Sequence, residues 1–153
     1  MKRLQDHNET NVIQALGCTK EPWLLKRFLD HFLKDNYPQW LFRLGLSNIV
    51  KHEIGKPLVW NFIQENWAFL KARNEEIMLE LSIVFLRLTY DLSSNFQFDQ
   101  MINFLKSNAN QAEEFKTIAE LKDVRKRILK FKDKSLDSVC KWLKENVDRD
   151  YFI

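Results

Sequence analysis

The pair His52-Glu53 suggests metal chemistry at first sight. A zinc-binding His-Glu-x-x-His motif needs a second histidine four residues after the first, so that both imidazoles share one face of a helix. Position 56 is a lysine, with a glycine and a proline beside it that break a helix. His7 and His31 have no possible ligand at a useful spacing. We therefore expect no metal site and assign no catalytic residue.

A run of basic residues near the carboxyl end is the second group with chemical potential. It comprises Lys122, Arg125, Lys126, Arg127, Lys130, Lys132 and Lys134. The apolar residues expected on the inward face of the same helix are Leu121, Val124, Ile128 and Phe131. One interpretation is a solvated face of an amphipathic helix. The other is that Arg125, Arg127 and Lys130 face a concave surface and bind the carboxylate of a peptide.

Other reactive or modifiable residues give weaker indications. Cys18 and Cys140 are too far apart in sequence for a metal-binding pair, so we interpret them as buried free thiols. Asn8-Glu9-Thr10 is an N-glycosylation sequon, which matters only if the protein enters the secretory pathway. The sequence leaves the compartment open. The tryptophans are expected in the core, with Trp60 and Trp67 on one helical stripe.

The composition predicts a single all-α domain over residues 1–153. Three glycines and three prolines are too few for the many turns of a sheet protein. The net charge of +3, from 24 basic and 21 acidic side chains, is too balanced for a dedicated nucleic-acid-binding protein. Neither a run of eighteen apolar residues nor a signal peptide is present, so we expect no membrane contact.

Apolar periodicity and turn residues predict eight helices with short connections. Their expected ranges are 8–16, 19–34, 40–51, 58–71, 75–90, 96–106, 111–132 and 135–146. Gly17 is expected to close the first helix in a left-handed conformation and Thr19 to cap the second, with Pro22 in its first turn. Similar helix lengths favour antiparallel hairpins stacked as a HEAT- or armadillo-like solenoid.

Two stretches resemble the carboxy-terminal helical domain of the zinc aminopeptidases related to aminopeptidase N and the endoplasmic-reticulum aminopeptidases. Residues 15–29 are similar to that family's Ala-Leu-x-Cys-Thr-Lys corner followed by Pro-Trp-Leu-Leu and an arginine. Residues 55–67 resemble its Gly-Arg-x-Leu-Ala-Trp-Asp-Phe and the Asn-Trp that follows. The residues that match the family pattern are Gly17, Thr19, Pro22, Trp23, Arg27, Gly55, Trp60, Asn66, Trp67 and Trp142.

The likeness continues to the carboxyl end and departs at two points. Residues 89–92 are a degenerate match to the family's Phe-x-Thr-x-x-x-Leu region. Residues 127–143 resemble its Asn-Ile-x-Trp and terminal Trp-Leu, with Phe131 in place of the first tryptophan. His52 stands where the family has asparagine, and the family's Arg-x-Gln-Asp element is not recognisable in residues 37–42.

The resemblance implies a non-catalytic domain that closes over a catalytic chamber and helps to hold a peptide. It implies zinc only for a catalytic domain, because His-Glu-x-x-His is missing here, and it names that catalytic domain and peptides as partners. The isolated chain is expected to be inactive. The alternative is a stand-alone or pseudo-enzyme helical scaffold for protein–protein interaction. An array cut from its neighbours would expose apolar surface near Val12, Ile13 and Leu16, and we expect self-association there.

Overall fold

The computed structural model describes residues 2–34, 38–73, 77–92 and 94–146. Throughout these ranges the regular structure is helical and contains no strand, which confirms the all-α prediction. The helices are α1 (Lys2–Gly17), α2 (Pro22–His31), α3 (Gln39–Ile49), α4 (Gly55–Glu65), α5 (Trp67–Arg73), α6 (Ile77–Asp91), α7 (Asn95–Asn108) and α8 (Ala112–Asn146).

The helix predicted over residues 58–71 is interrupted at Asn66. Asn66 has φ −112° and ψ 14°, and its side-chain Nδ2 donates a hydrogen bond of 2.9 Å to the Phe62 carbonyl. The backbone N–H of Asn66 donates to that same carbonyl at 3.1 Å. A short amide side chain that bonds to nearby backbone offers the chain an alternative to a continuing helix. The result is α4 and α5 in place of one helix.

The two helices predicted near the carboxyl end form one 35-residue helix, α8. The predicted break near Ser135 is wrong, and the segment contains neither glycine nor proline. The Ser138 hydroxyl donates to the Lys134 carbonyl at 3.3 Å, the back-bonding pattern of a serine inside a helix. Without a helix-breaking residue the hydrogen-bond ladder continues. In the part of the chain that the structure describes, the number of helices is still eight, because one predicted helix splits and two merge.

The main helix contacts form one series of four helices and one separate pair. Helix α1 packs on α3, α3 on α6, and α6 on α8, while α2 packs on α4. Crossing contacts join α1 to α2, α3 to α4, and α7 to α8. The HEAT- or armadillo-like solenoid arrangement itself stays a prediction. Helix α6 is central as expected, since Leu81, Val84 and Phe85 are fully buried.

Phe32, directly after α2, is the centre of an aromatic cluster. Its ring centroid lies 5.0 Å from that of Phe28, 5.4 Å from Phe42 and 6.4 Å from Phe62, in tilted or edge-to-face arrangements. Such pairs add to the apolar area that the rings bury. A Cβ added at Gly45 would lie 2.4 Å from the Phe32 ring, so α3 needs a glycine at this contact. The cluster holds α2, α3 and α4 together.

The corner between α1 and α2 forms differently from the prediction. Gly17 is buried at the end of α1, and the described glycines have no positive φ, so the left-handed cap is wrong. A Cβ at Gly17 would lie 2.9 Å from Cβ of Asn48, which explains the glycine by the close approach of α1 and α3. Thr19 does not occupy the N-cap position, which is Glu21, although its Oγ1 accepts a 3.3 Å hydrogen bond from the Glu21 N–H. Pro22 is the first residue of α2, as predicted.

Several residues expected in the core are exposed. Cys18 and Cys140 are both exposed, so the prediction of buried thiols is wrong. Of the tryptophans, Trp67 is buried and Trp60 is half-buried, but Trp23, Trp40 and Trp142 are exposed. At the amino-terminal end Val12 and Leu16 are exposed as expected, whereas Ile13 is buried. The sequon at residues 8–10 lies within α1, and the side chain of Asn8 is outside the described residues.

Candidate functional site

A groove of about 820 Å³ lies between α7 and α8. It is lined by Asn95, Phe98, Asp99, Lys122, Arg125, Lys126, Leu129, Lys130, Asp133 and Lys134. The α8 residues among these recur every three or four positions, so they form one side of the helix. The groove therefore collects five basic side chains against two acidic ones. Its electrostatic character favours an anionic ligand.

Arg125 is a structural residue of this groove. Its side chain is buried, with Nη1 donating at 2.8 Å to the Leu92 carbonyl and Nη2 at 3.1 Å to Asn95 Oδ1. The guanidinium also lies 5.6 Å from the Phe98 ring centroid, within the range of a cation–π contact. Arg125 thereby fixes the start of α7 to α8. Its Nε is buried without a hydrogen-bond partner among the described atoms.

Lys106 of α7 is a neighbour of Lys122, which lines the groove. The neighbouring Lys106 side chain lowers the pKa of the exposed Lys122, while Asp99 acts in the opposite direction. An anion bound beside two adjacent ammonium groups offsets their like charge. Sequence reasoning missed Lys106 and Asp99. Their spacing of seven residues, which places both on one face of α7, is the signal that could have identified them.

The other two predicted peptide-binding residues lie in different places. Lys130 is exposed and lines the groove. Arg127 does not line it, and its Nε lies 3.2 Å from Asp123 Oδ2 in an exposed ion pair one helical turn away. Of the three residues, the groove thus brings together Arg125 and Lys130. Phe131, predicted to face the core, is instead 70% exposed.

A second cavity of about 420 Å³ lies where α4, α6 and α7 meet. Its lining is Glu53, Lys56, Pro57, Trp60, Leu88, Leu92, Gln97, Gln100 and Met101. This volume falls in the range of small-ligand pockets. Lys56 forms an ion pair with Glu53 at the start of α4. Leu92 lines this cavity, and its carbonyl accepts a hydrogen bond from Arg125 of the groove.

Residues 55–67, which we call the second motif, form α4 and the first residue of α5 beside this cavity. Gly55 is the first residue of α4, and a Cβ there would lie 2.1 Å from the Ile49 carbonyl oxygen. The stretch predicted to break the helix therefore begins one. Trp60 and Trp67 each pack edge-on against Phe104 at centroid distances of 5.4 Å. Together with the backbone bonds of Asn66, these contacts fix the junction of α4 and α5 against α7.

The remaining motif residues lie away from both cavities. Trp23 is 60% exposed near the start of α2, and Arg27 is exposed on the same helix. The Arg27 carbonyl oxygen lies 2.9 Å from Nδ1 of His31. Trp142 is 58% exposed near the end of α8. The described contacts assign no ligand-binding role to these three motif residues.

No group of three or more histidine, cysteine, aspartate or glutamate side chains is placed to hold a metal ion among the residues that the structure describes. Across that same part of the chain, no helix combines the length and the apolar character needed to span a bilayer.

The known proteins that are similar in sequence to this chain come from the family that its motifs resemble. Residues 2–127 match the family model described as ERAP1-like C-terminal domain. Aminopeptidase N from dog is 25% identical over 143 residues, and the mouse protein is 28% identical over 144; both alignments cover 91% of this chain. Mouse endoplasmic reticulum aminopeptidase 1 is 22% identical over 144 residues, covering 90% of this chain.

These relatives are much longer than this chain. The chain spans 15% of each of these three proteins. The similarity therefore concerns one domain of larger enzymes. The family model covers most of the chain and includes both motifs, at residues 15–29 and 55–67. The chain belongs to the family of ERAP1-like C-terminal domains, found in aminopeptidase N and its relatives.

Proposed function

We propose that this chain is the non-catalytic domain of a zinc aminopeptidase that closes over the catalytic chamber and accommodates the distal end of the peptide substrate. The observation that carries the proposal is the basic groove between α7 and α8, lined by Lys122, Lys126 and Lys130. Membership of the domain family supports the aminopeptidase context. In this proposal the catalytic domain of the parent enzyme is the partner and holds the zinc.

The groove suits the carboxylate end of a peptide. The carboxylate would lie at the ammonium groups of Lys122 and Lys126, which both line the groove. The peptide chain would continue along α8 toward Lys130. Arg125 would act indirectly, since its guanidinium is bonded to the start of α7 and keeps the groove in shape. No chemical step is assigned to any of these residues, and the chain alone is proposed to be inactive.

The test is peptide binding by the purified 153-residue chain. Ten-residue peptides with free and with amidated carboxyl termini would carry an amino-terminal fluorophore, and anisotropy would report binding. We expect the free-acid peptides to bind about fivefold more tightly, because one solvent-exposed ionic contact contributes about 1 kcal/mol. Lys122→Gln should abolish this preference. The matched control is Arg127→Gln, which removes an equal charge from the same helix outside the groove.

Two outcomes would contradict the peptide role. Equal binding of free-acid and amidated peptides would show that the groove does not recognise a carboxylate. An equal effect of Lys122→Gln and Arg127→Gln would show that only the overall positive charge matters. Either result would favour the alternative function, a helical scaffold for protein–protein interaction.

A further inference from the structure

The carboxyl-terminal part of α8 carries an apolar face without a partner among the described helices. We name residues 126–146 the distal segment. Burial of α8 ends at Arg125, beyond which every described side chain is half-buried or exposed. The exposed large apolar residues of the distal segment are Phe131 at 70%, Leu136 at 63%, Trp142 at 58%, Val139 at 52% and Leu143 at 39%. A stable surface rarely leaves so many adjacent large apolar side chains in water.

The exposed apolar face continues the face that α8 buries in its first half. Residues seven apart lie on the same side of a helix, and Leu121, Ile128 and Trp142 fall on one such line. Leu121 is fully buried, Ile128 is half-buried and Trp142 is exposed. The body of the domain therefore lies on the same side of α8 as the exposed face. Body and distal segment form an inside corner, which we call the α8 notch.

The shape of the α8 notch selects a rod-like partner. A flat bilayer cannot approach the apolar face without meeting the body, which lies on that side of α8. The distal segment has 21 residues and a length of about 31 Å, which matches a helix of five to six turns. Projected at 100° per residue, its apolar residues cover about half of the circumference. An amphipathic helix laid along α8 would fill this corner.

The charge of the distal segment selects the chemistry of that helix. The segment contains seven basic and three acidic side chains, a net charge of +4, which exceeds the +3 of the whole chain. A second copy would bring the same positive charge to the contact, which disfavours self-pairing. Lys132 falls within the apolar arc by helical projection, where an opposite charge on the partner would meet it. We propose that the α8 notch binds an amphipathic helix with acidic flanks.

The α8 notch and the groove bind different ligands, and Lys126, Lys130 and Lys134 of the distal segment also line the groove. The family match ends at Arg127, so nearly all of the distal segment lies outside it. The ligand is the apolar and acidic surface of a helix, and a terminal carboxylate is not needed. Leu136, at the centre of the exposed face, does not line the α7–α8 groove.

The test uses two designed 21-residue helical peptides with acetylated and amidated ends. They share one leucine face, and their polar face carries glutamate in the first peptide and lysine in the second. Fluorescence anisotropy with the full chain should show at least tenfold tighter binding of the glutamate peptide. Leu136→Gln should weaken that binding at least fivefold. The matched control is Phe115→Gln, since Phe115 is 51% exposed on the same helix but lies outside the apolar arc.

Further variants and conditions keep the outcome clear. Lys122→Gln should leave binding of the capped glutamate peptide unchanged, which separates the α8 notch from the groove. Circular dichroism should show unchanged helicity for Leu136→Gln, since the residue is 63% exposed. Equal binding of both peptides would overturn the proposal. A dimer in sedimentation velocity that Leu136→Gln abolishes would also overturn it, because the occupant would then be a second copy. Binding to phosphatidylserine vesicles that Leu136→Gln abolishes would do the same, because the occupant would then be a membrane.

Discussion

Replacing Glu114 by glutamine removes the charge from a buried carboxylate that joins the start of α8 to α5. Glu114 is 2% exposed and forms an ion pair with Lys71 through Oε1. Its Oε2 accepts hydrogen bonds from the backbone N–H groups of Asn110 and, at 3.1 Å, Gln111. A carboxylate on these donors satisfies N–H groups at the helix start and complements the helix dipole. One side chain thus fixes both the beginning of α8 and its position against α5.

The expected loss of stability follows from what the substitution removes. Breaking a fully buried ion pair costs about 3 to 5 kcal/mol, because the remaining charge is left without a partner. The Lys71 side chain is 18% exposed, so water can reach part of its ammonium group. The glutamine oxygen can still accept from the backbone N–H groups. We therefore expect Glu114→Gln to lower the free energy of unfolding by about 2 to 3 kcal/mol at pH 7.

The effect should depend on pH in a defined direction. Burial raises the pKa of Glu114, but the hydrogen bonds from Lys71, Asn110 and Gln111 outweigh it, and the net pKa lies below the ordinary value of 4.5. The carboxylate therefore stabilises the folded state fully above pH 4.5, and this contribution is lost as the pH falls through the lowered folded-state pKa. Glutamine does not titrate. The difference between wild type and Glu114→Gln should shrink below pH 4.5.

Urea unfolding followed by circular dichroism, at pH 7 and at intervals down to pH 3, measures this difference. Lys71→Met and the double variant complete a double-mutant cycle, and we expect a coupling of about 1 to 3 kcal/mol between the two sites. A loss below 1 kcal/mol for Glu114→Gln at pH 7 would refute the reasoning. A difference that stays constant through the acid range would refute the assigned ionisation.

Two further substitutions test packing at the second motif by urea unfolding. Trp67→Ala should lower the free energy of unfolding by about 3 to 5 kcal/mol, because the ring is 6% exposed and packs on Phe104. Trp60→Ala, at a half-buried ring, should lower it by about 2 kcal/mol. Trp23→Ala, at a 60% exposed ring, is the control and should change the free energy of unfolding by less than about 0.5 kcal/mol. An equal loss of stability at all three tryptophans would contradict this ranking. Gly55→Ala should cost about 1 to 3 kcal/mol, because its Cβ would lie 2.1 Å from a backbone carbonyl, and an unchanged midpoint would show that α4 can shift freely.

The sequence predicted the helices well where apolar spacing alone decides the structure. Helix α6 was expected over residues 75–90 and spans Ile77–Asp91, because its apolar residues surround most of the helix. Side-chain hydrogen bonds to backbone changed the result elsewhere. The Asn66 amide ends α4 within a periodic apolar pattern, and periodicity does not report such a bond. Boundaries set by one polar contact are therefore harder to predict than the helices themselves.

The candidate site was predicted only in outline. The basic residues of α8 were identified, but the division between Arg125, Lys130 and Arg127 depends on which helix packs beside α8. Helical periodicity places Arg125 near the buried face. Its hydrogen-bond acceptors, the Leu92 carbonyl and Asn95 Oδ1, come from a distant part of the sequence, so periodicity does not identify them. Glycine was likewise misread at Gly17. A close helix contact favours the same residue as a left-handed cap, and sequence alone does not separate these causes.

Helix α8 links the two proposed binding surfaces through one uninterrupted hydrogen-bond ladder. Glu114 fixes its start and Arg125 holds the start of α7 to its middle. Beyond Arg125 every described side chain of α8 is half-buried or exposed, and the apolar face continues through Val139 and Trp142. A rigid helix transmits its position along its length, so a partner in the α8 notch would bear on the segment from Leu129 to Lys134 that lines the groove. The groove and the notch are thus neighbouring sides of one helix, and the substitutions Lys122→Gln and Leu136→Gln address them separately.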